Sequence, residues 1–245
     1  MSSEVHSGSK NVYGIPLGIL MLRSRFPRVP GDAGNASTWP FPVVFRVVDG
    51  TSPGLVVRHL PESGLLNNFV ACAHELAATG VAMITTNCGF LVLYQSVIQA
   101  ELKVPFISSS LLQVPFIASI LPPGRQVGLL TIARSSLSAE HLKAAGIEGD
   151  IPTVGMEEVG GYFAEAILGD ASELDTHRAS EEHVAAAGLL IKRHPSVAAI
   201  VLECTNMPPY ASAITQATGL PVHDLTTLVR WQIKAMRRVR FEGWM

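Results

Sequence analysis

The sequence predicts an α/β protein of two pseudo-symmetric lobes, each a parallel, mainly four-stranded sheet flanked by helices, with an active-site cleft between the lobes. Two observations carry this prediction. Short apolar segments alternate along the chain with segments of helical periodicity, which is typical of parallel sheets joined by helical crossovers. One strand-like stretch that ends in a cysteine also occurs twice, because VAMITTNC at 81–88 returns as VAAIVLEC at 197–204.

The two copies remain in register on both sides of the cysteines. Downstream, a proline follows each cysteine at the same spacing of 17 residues, from 88 to 105 and from 204 to 221. Upstream, Gly-Ile-Leu begins at residue 18 and Gly-Leu-Leu at residue 128, which is 70 residues before position 88 and 76 before position 204. Three matches in register indicate two copies of one α/β unit.

The first unit contains four predicted strands and three predicted helices. Apolar, β-branched runs predict strands over residues 15–22, 43–48, 81–88 and 104–107, and helical periodicity predicts helices over 65–79, 90–102 and 111–121. The proline- and glycine-rich segment 23–42 predicts a long irregular loop, and loops of this length are often lids or binding loops. Arg23, Arg25 and Arg28 could grip a carboxylate there or could be solvated; Arg25 is our substrate-binding candidate.

The second unit begins after the helix breaker Pro-Pro-Gly at 122–124. Strands are predicted over residues 126–132, 152–156, 197–204 and 221–223. Helices are predicted over 136–145, with Ser135 or Ser136 as the cap, over 161–168 and 180–194, from the second cysteine to 218, and over 225–238.

Composition limits the classes of function. Hydrophobic residues make up 48% of the chain and charged residues 16%, which fits a compact protein with a substantial core. The net charge of −2 gives no electrostatic reason to expect nucleic acid or an anionic membrane as partner. No apolar run approaches the roughly 20 residues that span a bilayer, and residues 1–10 lack the apolar core of a signal peptide. We therefore expect a cytoplasmic protein.

The cysteine count and spacing argue against several kinds of site. Three cysteines make a disulfide framework improbable, and Cys72 falls on the apolar face of a predicted helix. The sequence contains no Cys-x-x-Cys or His-x-x-x-His pair that would begin a zinc site, no P-loop, and no Gly-x-Gly-x-x-Gly after a strand. We therefore predict a site with no metal and no cofactor.

The two repeated cysteines are the candidate catalytic residues. Cys88 and Cys204 each end a predicted strand and precede a helix, and ligands of such sheets sit at that edge. Unpaired N–H groups at a helix start favour a thiolate. Across a cleft, one sulfur could take a proton from a carbon while the other returns one to the opposite face. Candidate substrate contacts beside them are Asn87, Gly89, Thr205, Asn206, Thr131, Ser108 and Ser109.

The motifs around both cysteines resemble those of the aspartate/glutamate/hydantoin racemase superfamily. They are Thr86-Asn87-Cys88-Gly89 and Glu203-Cys204-Thr205-Asn206-Met207-Pro208-Pro209-Tyr210. The resemblance implies a pseudo-two-fold axis, a cofactor-free two-thiol mechanism and often a homodimer, with Cys88 acting on the D and Cys204 on the L enantiomer. It also implies that the strand after each cysteine helix crosses to the opposite lobe. On that basis residues 11–102 and 219–245 form the first lobe, 103–218 the second, and 1–10 a disordered tail.

Three departures from the glutamate racemase pattern leave the substrate open. The chain has Arg23-Ser24-Arg25 where those enzymes carry Asp-Ser-Gly, Cys88-Gly89-Phe90 in place of Cys-Asn-Thr, and Cys204-Thr205-Asn206 in place of Cys-Thr-His. The sequence prediction is therefore a cofactor-independent racemase of an aspartate- or glutamate-type amino acid. It would act on a small carboxylate as a homodimer or higher homo-oligomer, without nucleic acid or membrane.

Other readings stay open at this point. A maleate-type cis–trans isomerase or a hydantoin racemase would use the same scaffold, whereas the presence of both cysteines argues against a decarboxylase, which the resemblance implies needs only one. A hydrolase would use Cys204 with His223 and Asp224. A two-lobed binding protein would bind a small acid without catalysing a reaction. Glu203, which precedes Cys204, would either point into its lobe or tune the acidity of the thiol.

Overall fold

A computed structural model of the chain describes residues 7, 8 and 13–243, and these form two four-stranded parallel sheets. The first sheet has the order β2-β1-β3-β4 and the second the order β6-β5-β7-β8, so the second repeats the arrangement of the first. The strands are β1 (Leu17–Leu22), β2 (Val43–Val48), β3 (Met83–Thr86), β4 (Phe106–Ile107), β5 (Gln126–Thr131), β6 (Thr153–Gly155), β7 (Val197–Leu202) and β8 (Val222–His223). The predicted fold class is confirmed. The predicted tail lies outside the described residues, apart from residues 7 and 8.

Helices cover the faces of both sheets. They are α1 (Pro53–His59), α2 (Leu66–Thr79), α3 (Gln95–Glu101), α4 (Val114–Ile120), α5 (Ala139–Ala144), α6 (Tyr162–Leu168), α7 (Thr176–Arg193), α8 (Ala211–Thr218) and α9 (Leu225–Met236). Because helices cover them, the central strands read as continuous apolar runs, and all six residues of β1 are buried. No helix within the described part of the chain is long and apolar enough to cross a membrane.

Several helix boundaries differ from the sequence prediction. Helix α1 was not predicted, although Ser52 accepts a hydrogen bond from the Leu55 N–H and Pro53 occupies the first turn, a common way to start a helix. Helix α7 begins four residues early because the Asp175 carboxylate caps it, and α5 begins after Ser138, not after Ser135 or Ser136. The sequence prediction therefore misses one helix, and it places the starts of two others at the wrong residue.

The elements that exchange between the two halves are helices, not the predicted strands. Strand β4 pairs with β3 of the same sheet and β8 pairs with β7 of the same sheet. The chain crosses over one element later. Helix α9 buries Leu225, Val229 and Ile233 with residues of the first sheet, and Ser110, just before α4, donates a hydrogen bond to the Leu202 carbonyl of β7. The predicted boundaries at 102/103 and 218/219 therefore come one strand too early.

The two exchanged helices tie the halves into one body. The main apolar core continues from β1 residues of the first sheet to β5 and β7 residues of the second. A smaller apolar cluster lies between α9 and the outer face of the first sheet. This shared core fixes the edges of the two sheets relative to each other, which is what a site built from both halves requires.

Candidate active site

Cys88 and Cys204 line the same largely enclosed cavity, whose volume of about 20 Å³ is roughly enough for one water molecule. Cys88 lies two residues beyond the end of β3 and Cys204 two beyond the end of β7, at equivalent carboxyl edges of the two sheets. Both side chains are buried. Four of the other lining residues are polar, namely Arg28, Asn87, Glu203 and Asn206. The rest are apolar or glycine: Leu22, Phe26, Pro53, Val57, Gly89, Phe90, Ile132, Ile167 and Leu168.

The two cysteine loops contact each other directly across the boundary between the halves. The Thr205 hydroxyl donates a hydrogen bond of 2.5 Å to the Asn87 carbonyl. Gly89 lies so close to Glu203 that a β-carbon at position 89 would overlap both the carboxyl Oε1 and the backbone carbonyl of Glu203. Only glycine fits at this contact, and the close approach of the loops brings both sulfurs to one cavity.

Burial raises the pKa of both thiols. The pKa of Cys88 is raised to about 12, first by desolvation and then by the nearby Glu203 carboxyl, although the Phe90 and Leu91 N–H groups lower it. The pKa of Cys204 is raised well above its usual range by the same two causes, against the Asn206 N–H group. Both shifts are opposite in direction to the sequence prediction that the helix starts favour thiolates.

The physical reason lies in the turns that follow the cysteines. Gly89–Tyr94 and Pro208–Tyr210 are 3₁₀ turns, and the α-helices begin only after them. Short 3₁₀ turns align few N–H groups, so their electrostatic benefit is smaller than the cost of burial. In this state Cys204 is a thiol whose Sγ donates to the Asn206 Oδ1, 3.4 Å away.

The long loop 23–42 contributes a charged pair to the cavity wall. Arg28 Nη1 donates to Asp32 Oδ1 at 2.8 Å, and Asn206 Nδ2 donates to Asp32 Oδ2 at 2.6 Å. A chain of contacts therefore runs from Arg28 through Asp32 and Asn206 to the Cys204 sulfur. Arg28 also lies over the Phe26 ring, with 4.5 Å from its guanidinium carbon to the ring centroid.

The structure does not bring Arg25 to this cavity. Its side chain is 78% exposed and pairs with Asp170, and Arg23 likewise pairs with Asp49 at the surface. Arg28 is the arginine of the loop that reaches the site. Both Arg25 and Arg28 lie in the same proline-rich segment, so no local signal distinguishes them.

Glu203 is the cavity residue that the sequence reasoning left undecided. It is 1% exposed, and burial raises the pKa of its carboxyl to about 7, against the lowering effect of hydrogen bonds from Thr131 and the Ile132 N–H. The Thr131 hydroxyl lies 2.9 Å from Glu203 Oε2, whereas Oε1 has no hydrogen-bond partner. The candidate Thr131 thus contacts Glu203 and is not among the residues that line the cavity.

The remaining candidates occupy structural positions around the site. Ser108 donates from its hydroxyl to the Gln95 Oε1 at 2.7 Å, and the Ser109 hydroxyl accepts the Leu111 N–H at 3.2 Å. Neither lines the cavity, and nor does Thr205. Asn87, Gly89 and Asn206 do line it, beside the two cysteines.

His223 and Asp224 do not join Cys204 in a catalytic set. Asp224 caps α9, where its Oδ1 accepts the Thr227 N–H at 2.9 Å, and His223 lines a separate, open surface groove. The cysteine hydrolase reading therefore has no geometric support. Among the described residues, no group of three or more His, Cys, Asp or Glu side chains is arranged to hold a metal ion.

The two repeated α/β units have the fold of the aspartate/glutamate/hydantoin racemase superfamily. Allantoin racemase from Pseudomonas fluorescens superposes with a TM-score of 0.61 at 16% identity, covering 94% of this chain and 100% of that one. A variant of arylmalonate decarboxylase superposes with a TM-score of 0.62 at 15% identity, covering 90% and 92%. The resemblance seen in the sequence is thereby confirmed at the level of the fold.

Proteins that are similar to this chain in sequence are named for a different activity. The chain is 28% identical over 221 residues to a dimethylsulfoniopropionate lyase of Durusdinium sp. clade D, covering 87% of this chain and 72% of that protein. It is 31% identical over 222 residues to dimethylsulfoniopropionate lyase 7 of Emiliania huxleyi (strain CCMP1516), covering 86% of this chain and 64% of that protein. The chain thus spans less than two thirds of the second relative. No family model matches the chain.

Proposed function

We propose that this chain is a cofactor-independent enzyme that removes a proton from the carbon beside the carboxylate of a small substrate, with a cavity cysteine as base. We further propose that the reaction is a lyase reaction that expels a neutral sulfide from a 3-sulfoniopropionate such as dimethylsulfoniopropionate. The observation that carries the proposal is that Cys88 and Cys204, from equivalent places in the two halves, line one enclosed cavity. The sequence similarity to dimethylsulfoniopropionate lyases supports the choice of reaction.

The lining of the cavity suits a sulfonium better than an ammonium. A dimethylsulfonium group is cationic but carries methyl groups and no hydrogen-bond donors, so it gains from apolar and aromatic surroundings. Phe26 and Phe90 supply aromatic rings, and most other lining residues are apolar. An α-ammonium group would need several acceptors, and Asn206 already uses its amide on Asp32 and Cys204.

The proposed reaction balances with the groups present. A cysteine thiolate takes the proton from the carbon next to the carboxylate, and the electrons of that C–H bond form the new C=C bond. The C–S bond breaks with its electron pair on sulfur, giving dimethyl sulfide and acrylate. The cysteine is then a thiol again, as in the resting enzyme, and its proton passes to solvent when the next substrate binds. Catalysis needs a base whose acidity fits the working pH.

Substrate binding would lower the raised pKa of a cavity thiol. Desolvation is the largest cause of the raised pKa of each cysteine, because a lone thiolate in this cavity has little compensating charge. A sulfonium cation placed in the same cavity attracts the thiolate and lowers its pKa. The resting enzyme would hold neutral thiols and ionise one of them only with substrate in place.

A racemase of an amino acid or hydantoin is the second candidate. The specific observation in its favour is the equivalent placement of two cysteines, which suits proton removal from one face of a carbon and return to the other. A lyase needs one base, whereas a two-base racemase needs both. A homodimer remains a prediction from the family resemblance.

The test compares the two reactions in the same set of variants. Dimethyl sulfide and acrylate release from dimethylsulfoniopropionate would be measured for wild type, Cys88→Ser, Cys204→Ser and the control Cys72→Ser. Deuterium entry from D₂O into both enantiomers of aspartate, glutamate and a hydantoin would be measured in parallel. Cys72 is buried within α2, outside the cavity, so its variant controls for the loss of a buried thiol.

We expect sulfide release by wild type and by Cys72→Ser, and a loss of about 10²-fold or more in at least one cavity variant. Deuterium exchange that both cavity substitutions abolish, without sulfide release, would favour the racemase. Full activity in both cavity variants would contradict the proposed mechanism.

A further inference from the structure

Glu203 holds a buried carboxyl oxygen that nothing in the described structure satisfies. Its Oε1 has no hydrogen-bond partner, although the residue is 1% exposed and lines the cavity between the two cysteines. Buried polar atoms in native proteins are almost always paired, so an unpaired one at a cavity wall calls for an explanation. A ligand in the cavity is the partner that the location indicates.

The hydrogen bonds to Glu203 decide which oxygen carries its proton. The Thr131 hydroxyl donates to Oε2 at 2.9 Å, whereas Oε1 has no partner. The partner-free oxygen is therefore the place for a proton when the carboxyl is neutral. A neutral Glu203 presents an O–H donor from Oε1, beside Gly89 at the cavity wall.

The surroundings favour the neutral form. The ionisable groups around Glu203 are Cys88 from the first half, Cys204 on its own loop, and the Arg28 and Asp32 pair of the long loop. Neither thiol supplies positive charge, and the Arg28 guanidinium is already bonded to the Asp32 carboxylate. Burial accordingly raises the pKa of Glu203 to about 7. An ionised Glu203 would also repel the carboxylate of an incoming substrate.

We propose that Glu203 acts as a neutral acid whose Oε1–H donates a hydrogen bond to the carboxylate of the substrate. It would hold the anionic end of the substrate where negative charge grows as the neighbouring carbon loses its proton. Donors placed where charge develops stabilise the transition state more than the ground state. The inference rests on the proposed proton abstraction next to a carboxylate, and it assigns the residue that recognises that carboxylate.

Gly89 keeps this donor in place. A β-carbon at position 89 would overlap Oε1, so only glycine leaves the Glu203 carboxyl beside the Cys88 loop. The result is a carboxylic acid from the second half that lies against the cysteine loop of the first. The two thiols and the acid then border one small space, which has to widen to admit a three-carbon carboxylate beside all three groups.

The kinetic test uses two substitutions at position 203. Glu203→Gln is isosteric, keeps an N–H donor and stays neutral at every pH, whereas Glu203→Leu has no donor. The rates kcat and kcat/KM for sulfide release from dimethylsulfoniopropionate would be measured across pH, with thermal melting as the control for folding. We expect the ratio of kcat/KM in wild type to kcat/KM in Glu203→Gln to fall as pH rises through about 7, because only wild type then loses a donor.

The two variants should behave oppositely. Glu203→Gln should follow the pH dependence of the thiol alone and keep kcat/KM within about tenfold of wild type below about pH 7, whereas Glu203→Leu should lose about 10²- to 10³-fold. A Gln variant as inactive as the Leu variant would overturn the proposal, because it would mean that Glu203 transfers a proton or binds as an anion. Full activity of a folded Leu variant would overturn it as well.

An infrared measurement without turnover separates this inference from the proposed function. The C=O stretch of a protonated carboxylic acid, present in wild type and absent in Glu203→Gln, would be followed at about pH 6 and about pH 8, on either side of the Glu203 pKa. We expect the band at the lower pH, and we expect acrylate to shift it. Absence of the band overturns the inference, whereas a band that acrylate shifts supports it even if no sulfide is ever released.

Discussion

At the scale of single residues, the cavity wall depends on one buried ion pair. The side chains of Arg28 and Asp32 are 13% and 3% exposed, and Asp32 also accepts a hydrogen bond from Asn206. Removing one charge of such a pair leaves the other buried without compensation, which costs far more than the loss of a surface pair. The contact chain from the loop to Cys204 should therefore contribute to stability as well as to the site.

Asp32→Asn tests this directly. The substitution keeps the shape but leaves the Arg28 charge unpaired, and it places an amide donor against Asn206 or Arg28. We expect the free energy of unfolding to fall by about 3 kcal/mol, measured by urea denaturation. Asp49→Asn is the matched control, since it breaks an exposed arginine pair and should cost less than about 1 kcal/mol. Equal effects of the two substitutions would show that Asp32 has no special role.

At the scale of elements, three aromatic side chains join α6, α7 and the turn after Cys204. His183 of α7 is fully buried, stacks on Tyr210 with ring centroids 4.3 Å apart, and meets Phe163 of α6 edge-on at 4.6 Å. Its Nδ1 lies 2.7 Å from the Ala179 carbonyl, whereas its Nε2 is unpaired. This packing accepts a neutral imidazole and has no partner for a second proton.

The stability of the fold should accordingly depend on pH. Burial lowers the pKa of His183 from 6.5 to about 4, so between those values the unfolded chain binds more protons than the folded protein. Stability is fully present above pH 6.5 and decreases as pH falls toward 4, by about 3 kcal/mol for this residue. Denaturant unfolding of wild type and His183→Phe across this range measures the effect.

The Phe variant should lose most of this acid sensitivity and keep the part due to His141. Burial lowers the pKa of His141 to about 4 as well, and its side chain accepts the Ser138 N–H at the start of α5. An unchanged pH slope in the Phe variant would assign the acid sensitivity to other groups.

At the scale of the whole molecule, the sequence predicts the elements that repeat along the chain and misses the contacts between segments that are distant in sequence. The two sheets, their common strand order and both cysteine positions follow from periodicity and from a repeat that is visible in the chain. The failed or undecided predictions concern contacts between distant segments. Arg25 bonds Asp170 across 145 residues, and Asn206 bonds Asp32 across 174. No sequence pattern near either residue identifies a partner so far away along the chain.

The exchange of helices between the halves was missed for a similar reason. Strands β4 and β8 have two residues each, and their pairing partners are decided by packing in three dimensions. The sequence prediction also starts the helices at the 3₁₀ turns after the cysteines, whereas in the structure the α-helices begin only after those turns. The burial that raises the pKa of both thiols is a property of the closed cavity, which no stretch of sequence contains.

The long loop 23–42 is a further contact between the halves. It leaves β1 of the first sheet, and the Ala33 N–H donates to the Thr205 carbonyl beside Cys204 at 3.2 Å. At the contact point Gly31 has φ of +104° and lies against Pro209, where a β-carbon would come within 2.9 Å of the Pro209 Cα. Gly31 thus satisfies two constraints, a left-handed backbone and a close approach.

Gly31→Ala should detach the loop from the second half. Gly14→Ala is a matched control, because Gly14 has φ of +97° but has no atom within 4 Å of an added β-carbon. Both substitutions carry a backbone strain of about 1–2 kcal/mol, and only the first also pushes the loop away from Pro209. Tryptic cleavage after Arg28 should therefore accelerate in Gly31→Ala and not in Gly14→Ala, and activity should fall with it because Arg28 leaves the cavity wall. Equal cleavage rates in the two variants would mean that the loop stays docked without this contact, and that the cavity is closed by the Arg28 and Asp32 pair alone.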